Sequence, residues 1–198
     1  MILIYAIISL SILAILIRRD FSTIGQMPFR GGWKLGLFVL GLFLLQAVFV
    51  IYVSGQNIIQ MLLVISSQIV LALLFLLNRH IPGAKLFALG IILNTVVMLA
   101  NGGWMPITPE TYHSIRPERN VELQARAPAS KGIMLEQHET NLWFLTDIIP
   151  VNYFGHKNAL SIGDVLILVG IAQFFFLATP SKDKNEPASR ASQVNTSP

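Results

Sequence analysis

Cysteine is absent from the 198 residues, which excludes disulfides, thiolate metal centres, iron–sulfur ligation and cysteine nucleophiles, and leaves the redox compartment open. Charge is scarce as well. Asp, Glu, Lys and Arg make up 12% of the chain, about half the share of a soluble globular protein. Several catalytic patterns are also missing: there is no Gly-x-Ser-x-Gly elbow, no Gly-x-x-x-x-Gly-Lys phosphate loop and no His-Glu-x-x-His zinc motif. His113, His138 and His156 share one polar stretch with Glu136 and Glu139. The run Glu136-Gln137-His138-Glu139 and the scattered spacing of the other histidines match no metal-ligand pattern, so neither a metal nor another cofactor is expected. No nucleophile or base stands beside an orienting partner, and catalysis is not the expected role.

What is present is apolar sequence in long runs. With 54% hydrophobic residues and so few charges, the apolar excess must face something other than water, and a lipid bilayer is the expected solvent. Crossing its hydrocarbon core takes about 20 helical residues. Runs at about 1–17, 35–53, 58–77, 86–102 and 160–178 are read as five transmembrane helices forming one bundle over 1–180. The first is closed by Arg18-Arg19-Asp20, with no positive charge before it, so it reads as a retained anchor and not as a cleaved signal. Ser54-Gly55-Gln56-Asn57 is so short that the second and third spans form a tight antiparallel hairpin. Pro82-Gly83 stops the third span, and Pro180 the fifth. The polar tail, 181–198, is too poor in apolar residues to build a core and is expected to be disordered.

Orientation follows from the bases. Arg18, Arg19, Arg30 and Lys34 crowd the first connection, Arg79 and Lys85 the third, and Lys182, Lys184 and Arg190 the tail. By the positive-inside rule these face the cytoplasm, which puts the N-terminus outside and the C-terminus inside. The long loop, about 103–159, then faces outward. Its island Leu142-Trp143-Phe144-Leu145, continued by Asp147-Ile148-Ile149-Pro150-Val151, is too short to span and is expected to form a short interfacial helix. The expected fold is therefore an all-α membrane protein with one long extracytoplasmic loop. The loop bases Arg116, Arg119, Arg126 and Lys131 alternate with acids and form no nucleic-acid stripe.

Polar residues inside apolar spans are the first functional candidates. Asp164 is the acid in the fifth span, placed in the first helical turn, where a carboxylate suits a cap or interhelical bond as readily as proton or ligand handling. Gln46, Gln68, Asn94 and Gln173 lie near the middles of the second to fifth spans. Side-chain amides in lipid need partners, so these either bond across helices or line a polar cavity. A second candidate is the run Asn101-Gly102-Gly103-Trp104-Met105-Pro106, read as a helix stop with an interface tryptophan or as a binding loop; Asp147 and Pro150 join it from the outer loop.

These features together resemble a family of small bacterial integral membrane proteins of unknown function. The features are a first span ending in bases, the Asn-Gly-Gly-x-Met-Pro run after an Asn-bearing fourth span, Asp147-Ile148-Ile149-Pro150, and Ser161-Ile162-Gly163-Asp164 opening the last span. The resemblance implies a multi-pass protein of the bacterial inner (plasma) membrane and carries no activity, ligand or cofactor. Two functions are weighed. One is a non-enzymatic accessory component binding a membrane-protein partner. The other is a small permease or lipid-handling protein whose polar path is lined by Gln46, Gln68, Asn94 and Asp164.

Overall fold

The computed structural model describes residues 2–120, 122–153 and 155–180, so the disorder expected of 181–198 lies outside the described residues. The protein is mostly helical. Five apolar helices, α1 (Ile2–Leu16), α2 (Gly32–Tyr52), α3 (Ile58–Leu77), α4 (Ala84–Ala100) and α6 (Ile162–Leu177), carry a smaller layer made of residues 101–160. Two of them, α2 and α3, are long and apolar enough to cross a membrane; α1, α4 and α6 are apolar but shorter. Their apolar side chains are widely uncovered: Leu37, Phe38 and Leu44 on α2 are 55%, 57% and 60% exposed.

Local chemistry sets the helix ends. Asn57 caps α3 by accepting the Ile59 amide at 2.8 Å. At the other end of α3, buried Asn78 donates to Leu74 O at 2.9 Å and exchanges two hydrogen bonds with the Arg30 backbone, tying the α1–α2 connection to the end of α3. Arg19 and Thr23 bond to the carbonyls of Thr179 and Ala178, and His80 to that of Pro28. The connections 18–31 and 78–83 and the end of α6 thus meet at one end of the bundle. The Ser54–Asn57 turn and residues 101–160 meet at the other.

The layer over 101–160 corrects the all-α expectation. It contains β1 (Met105–Ile107) paired in parallel with β2 (Gly132–Met134), and β3 (Ile149–Tyr153) paired antiparallel with β4 (His156–Leu160) in register Ile149 to Leu160. A short helix, α5 (Pro109–Ile115), starts from Thr108 as N-cap with proline in its first turn. Ile107, Tyr112, Ile115, Ala127, Met134 and Ala159 form a core of this layer.

The expected interfacial helix over 142–151 is likewise not there. Only a single 3-10 turn, Trp143–Leu145, forms, and Ile149-Pro150-Val151 is strand. Pro150 has no amide to give a helix, and β-branched neighbours favour the extended ladder. The fourth helix also stops earlier than expected, at Ala100, because Gly102 takes φ +72°. The Gly103 amide then bonds Met98 O at 2.6 Å, closing a Schellman cap.

Candidate functional site

Asp164 belongs to a closed polar ring. Ser161, the N-cap of α6, accepts the Asp164 amide on its hydroxyl at 3.0 Å and donates its own amide to Asp164 Oδ2 at 3.2 Å, a capping box. Asp164 Oδ1 accepts from Asn94 Nδ2 at 3.0 Å, and the Ser161 hydroxyl donates to Asn94 Oδ1 at 2.8 Å. The ring needs α4 and α6 in close approach, and glycine provides it. A Cβ on Gly163 would stand 2.6 Å from the Gly90 carbonyl oxygen, and one on Gly170 2.8 Å from that of Gly83. The antiparallel helices bring these pairs together because glycines recur every seven residues on both.

The ring makes a specific prediction. If the Asn94 amide rotates by half a turn, Asp164→Asn keeps the Ser161 amide and both side-chain amides paired and leaves only the Ser161 hydroxyl proton without its acceptor, so this variant should lose about 1 kcal/mol. Asp164→Leu leaves Asn94 Nδ2 and the Ser161 amide without their acceptor and should cost about 2 kcal/mol. Thermal midpoints of the two variants in detergent check this; equal losses would contradict the ring.

The other predicted amides do not join Asp164 and Asn94. Buried Gln46 accepts from the Ser67 hydroxyl on α3. Gln68 and Gln173 are half-buried and stand outside both networks. None of Gln46, Gln68, Asn94 and Asp164 lines any of four cavities found among the described residues. Gln60, not singled out in the sequence, donates to Phe49 O at 2.8 Å from a fully buried position.

The Asn101–Pro106 run seats the layer over 101–160 on the helices. Asn101 donates to Val97 O at 2.8 Å and to Asn141 O at 2.9 Å, and accepts the Asn141 amide at 2.9 Å. Trp104 is 2% exposed, not the interface aromatic expected. It lies under the Arg126 guanidinium, 5.3 Å from its ring centroid. Arg126 in turn donates to Gly55 O and Ser130 O, both at 2.7 Å, to Val50 O at 3.2 Å and to Val53 O. Those carbonyls include unpaired groups at the C-terminal end of α2, where a cation is favoured. Desolvation lowers the Arg126 pKa from its ordinary value. The interleaved acids of the loop concealed this role, and only the folding of Arg126 back onto carbonyls 71 to 76 residues earlier in the chain explains it.

Beside this anchor lies a polar cavity of about 410 Å³. Arg116, Arg119, His156 and Lys157 supply its basic wall, and Tyr5, Tyr112 and Tyr153 its aromatic one. Asp147, flagged in the sequence, also lines it, its amide held by Pro106 O at 3.3 Å. Burial first, and the negative field of Asp164 second, push the Asp147 carboxyl well above the usual carboxylate range. Lys131 reaches from the layer toward the Phe43 ring of α2, 5.9 Å away. Burial brings its pKa down to about 8, against the opposing pull of Asp164. The cavity wall is fixed to α1: the Tyr5 ring stacks on His156 at 5.2 Å and Ser9 hydrogen-bonds Tyr153. Among the described residues, no group of three or more His, Asp or Glu side chains is placed to hold a metal ion.

Residues 26–176 match DUF5317, a family of unknown function. A protein of Thermotoga maritima described as uncharacterized is 36% identical over 117 residues, which is 59% of this chain and 64% of that relative, so the match spans less than two thirds of the relative's length. No solved structure matches the chain. Since the family pattern covers most of the sequence, from the end of the first connection to the last turn of α6, the chain belongs to the family of unknown function DUF5317.

Proposed function

We propose that this chain is a multi-pass protein of the bacterial inner membrane, crossing five times, that works by binding a ligand or partner at its outer face. The carrying observation is the contrast between the two halves of the molecule. In the apolar helices, Asp164, Asn94 and Gln46 pair with neighbours inside packed contacts, while the layer over 101–160 contains an open polar cavity. A permease needs the opposite arrangement. The widely exposed apolar faces of α2 and α3 support the bilayer as their solvent. The clustering of Arg18, Arg19, Arg30, Lys34, Arg79 and Lys85 at one end supports that end as cytoplasmic. Leu142, Trp143 and Phe144, 36%, 46% and 47% exposed, give the outer layer an apolar edge suited to the membrane surface or a neighbouring subunit.

The lack of native cysteine makes a direct test simple. Single substitutions Gln26→Cys, Ser54→Cys and Glu139→Cys, all at exposed positions, are treated with a membrane-impermeant thiol reagent on spheroplasts that expose the outer face. Labelling is expected at positions 54 and 139 and protection at 26 until the membrane is opened. Labelling of 26, or different sides for 54 and 139, would overturn the arrangement.

A further inference from the structure

We propose that the cavity of the outer layer is a binding site for a phosphate ester, carried either by a lipid headgroup or by a soluble molecule. The inference deepens the outer-face binding reading and rests on it. Arg116, Arg119, Lys157 and His156 come from the end of α5, the loop after it and β4, and the fold brings them to the lining of one cavity. Three basic side chains, Arg116, Arg119 and Lys157, on the lining of one cavity suit a compact anion that can accept from more than one donor, as a phosphate does. Arg116 is held in place by its bond to Lys157 O at 3.0 Å, which leaves the other guanidinium nitrogens for a ligand.

Asp147, the acid on the lining, does not spoil the site. Burial and the field of Asp164 raise its pKa, which favours the protonated, donor form beside a bound anion. A volume of about 410 Å³ exceeds a bare ion and leaves room for a polyol or other headgroup beside the phosphate. Tyr5, Tyr112 and Tyr153 give that remainder an aromatic lining. Tyr5 belongs to α1, an apolar helix, so one wall of the cavity stands at the end of a membrane-facing segment, within reach of headgroups.

The test uses the purified full-length protein in a neutral detergent and titration calorimetry with three probes: dihexanoyl phosphatidic acid, glycerol phosphate, and phosphate-free dihexanoylglycerol. Saturable binding, one per chain, is expected for at least one phosphate probe and not for the neutral one. Binding of the lipid alone assigns the source to headgroups, and binding of both assigns it to the phosphate ester itself. The double variant Arg119→Gln/Lys157→Gln, at two exposed positions, should weaken binding by about tenfold to a hundredfold with an unchanged thermal midpoint. Lys157→Arg should retain most of the affinity. Equal binding of the neutral probe, no binding of either phosphate probe, or wild-type affinity in the double variant would overturn the site. Cysteine labelling reports separately on the outward placement of the loop, so failure here with that placement intact removes the phosphate inference alone.

Discussion

Gly163→Val is expected to prevent stable folding of the protein, with a loss of about 3–5 kcal/mol. The new side chain meets both backbone and the hydrogen-bonded Asn94 amide. Its Cβ would lie 2.6 Å from the Gly90 carbonyl oxygen and would overlap the Asn94 amide. To relieve this, α4 and α6 must separate, which breaks the hydrogen bonds that join Asn94 to Asp164 and to Ser161. It also opens the packing of Ile91 against Ile167 and Ile171. Gly41→Ala on α2, where nothing lies within 4 Å, is the matched control and should be neutral or slightly stabilising. Monodisperse yield in detergent and thermal midpoint decide the matter. A Gly163→Val variant as stable as the parent would show that the two helices do not cross where the glycines place them.

Arg126→Leu is expected to undock the layer over 101–160 while the helices stay together. The guanidinium makes hydrogen bonds to the carbonyls of Val50, Val53 and Gly55 at the end of α2 and to Ser130 O within its own loop. Hydrogen bonds to a charged group contribute about 1.5–3 kcal/mol each before the cost of desolvating the cation, so a net loss of about 3–4 kcal/mol is expected. Arg126→Lys should recover less than half of it, because one ammonium cannot reach carbonyls spread over a helix end as a planar fork does. Limited trypsin digestion reads the result: cleavage at exposed Arg119 should accelerate by about tenfold, with the fragment containing α1 to α4 still folded. Unchanged cleavage in Arg126→Leu would mean that Asn101, Asn141 and the strands hold the layer without it.

Much of this architecture is legible in the residues. Runs of apolar sequence interrupted by Asn57, Asn78 and Pro82-Gly83 place the helices to within a few residues, because a helix end needs a side chain or a glycine to satisfy its orphan groups. Ser161 followed by Asp164 reads directly as a helix start, and the structure builds the full capping box there. The outer layer is less legible. Its strands are three to five residues long, too short for period-two alternation to stand out, and Leu142–Leu145 has the composition of a helix that β3 preempts.

Sequence by itself determined which segments are strongly apolar, which end of each carries the bases, and that thiol chemistry is excluded, since composition and local spacing govern solvation and capping one segment at a time. Only the tertiary structure decided which polar groups pair. Asn94 finds Asp164 and not Gln46 because Gly90 and Gly163 let two backbones touch. Arg126 leaves the acids that flank it in sequence for carbonyls that reach it only after the loop folds back. Residues from α1, α5 and β4 surround one cavity because a β-hairpin carries His156 onto the ring of Tyr5. Each of these depends on contacts between residues far apart in the chain, whose geometry is set by packing between elements and leaves no trace in local spacing.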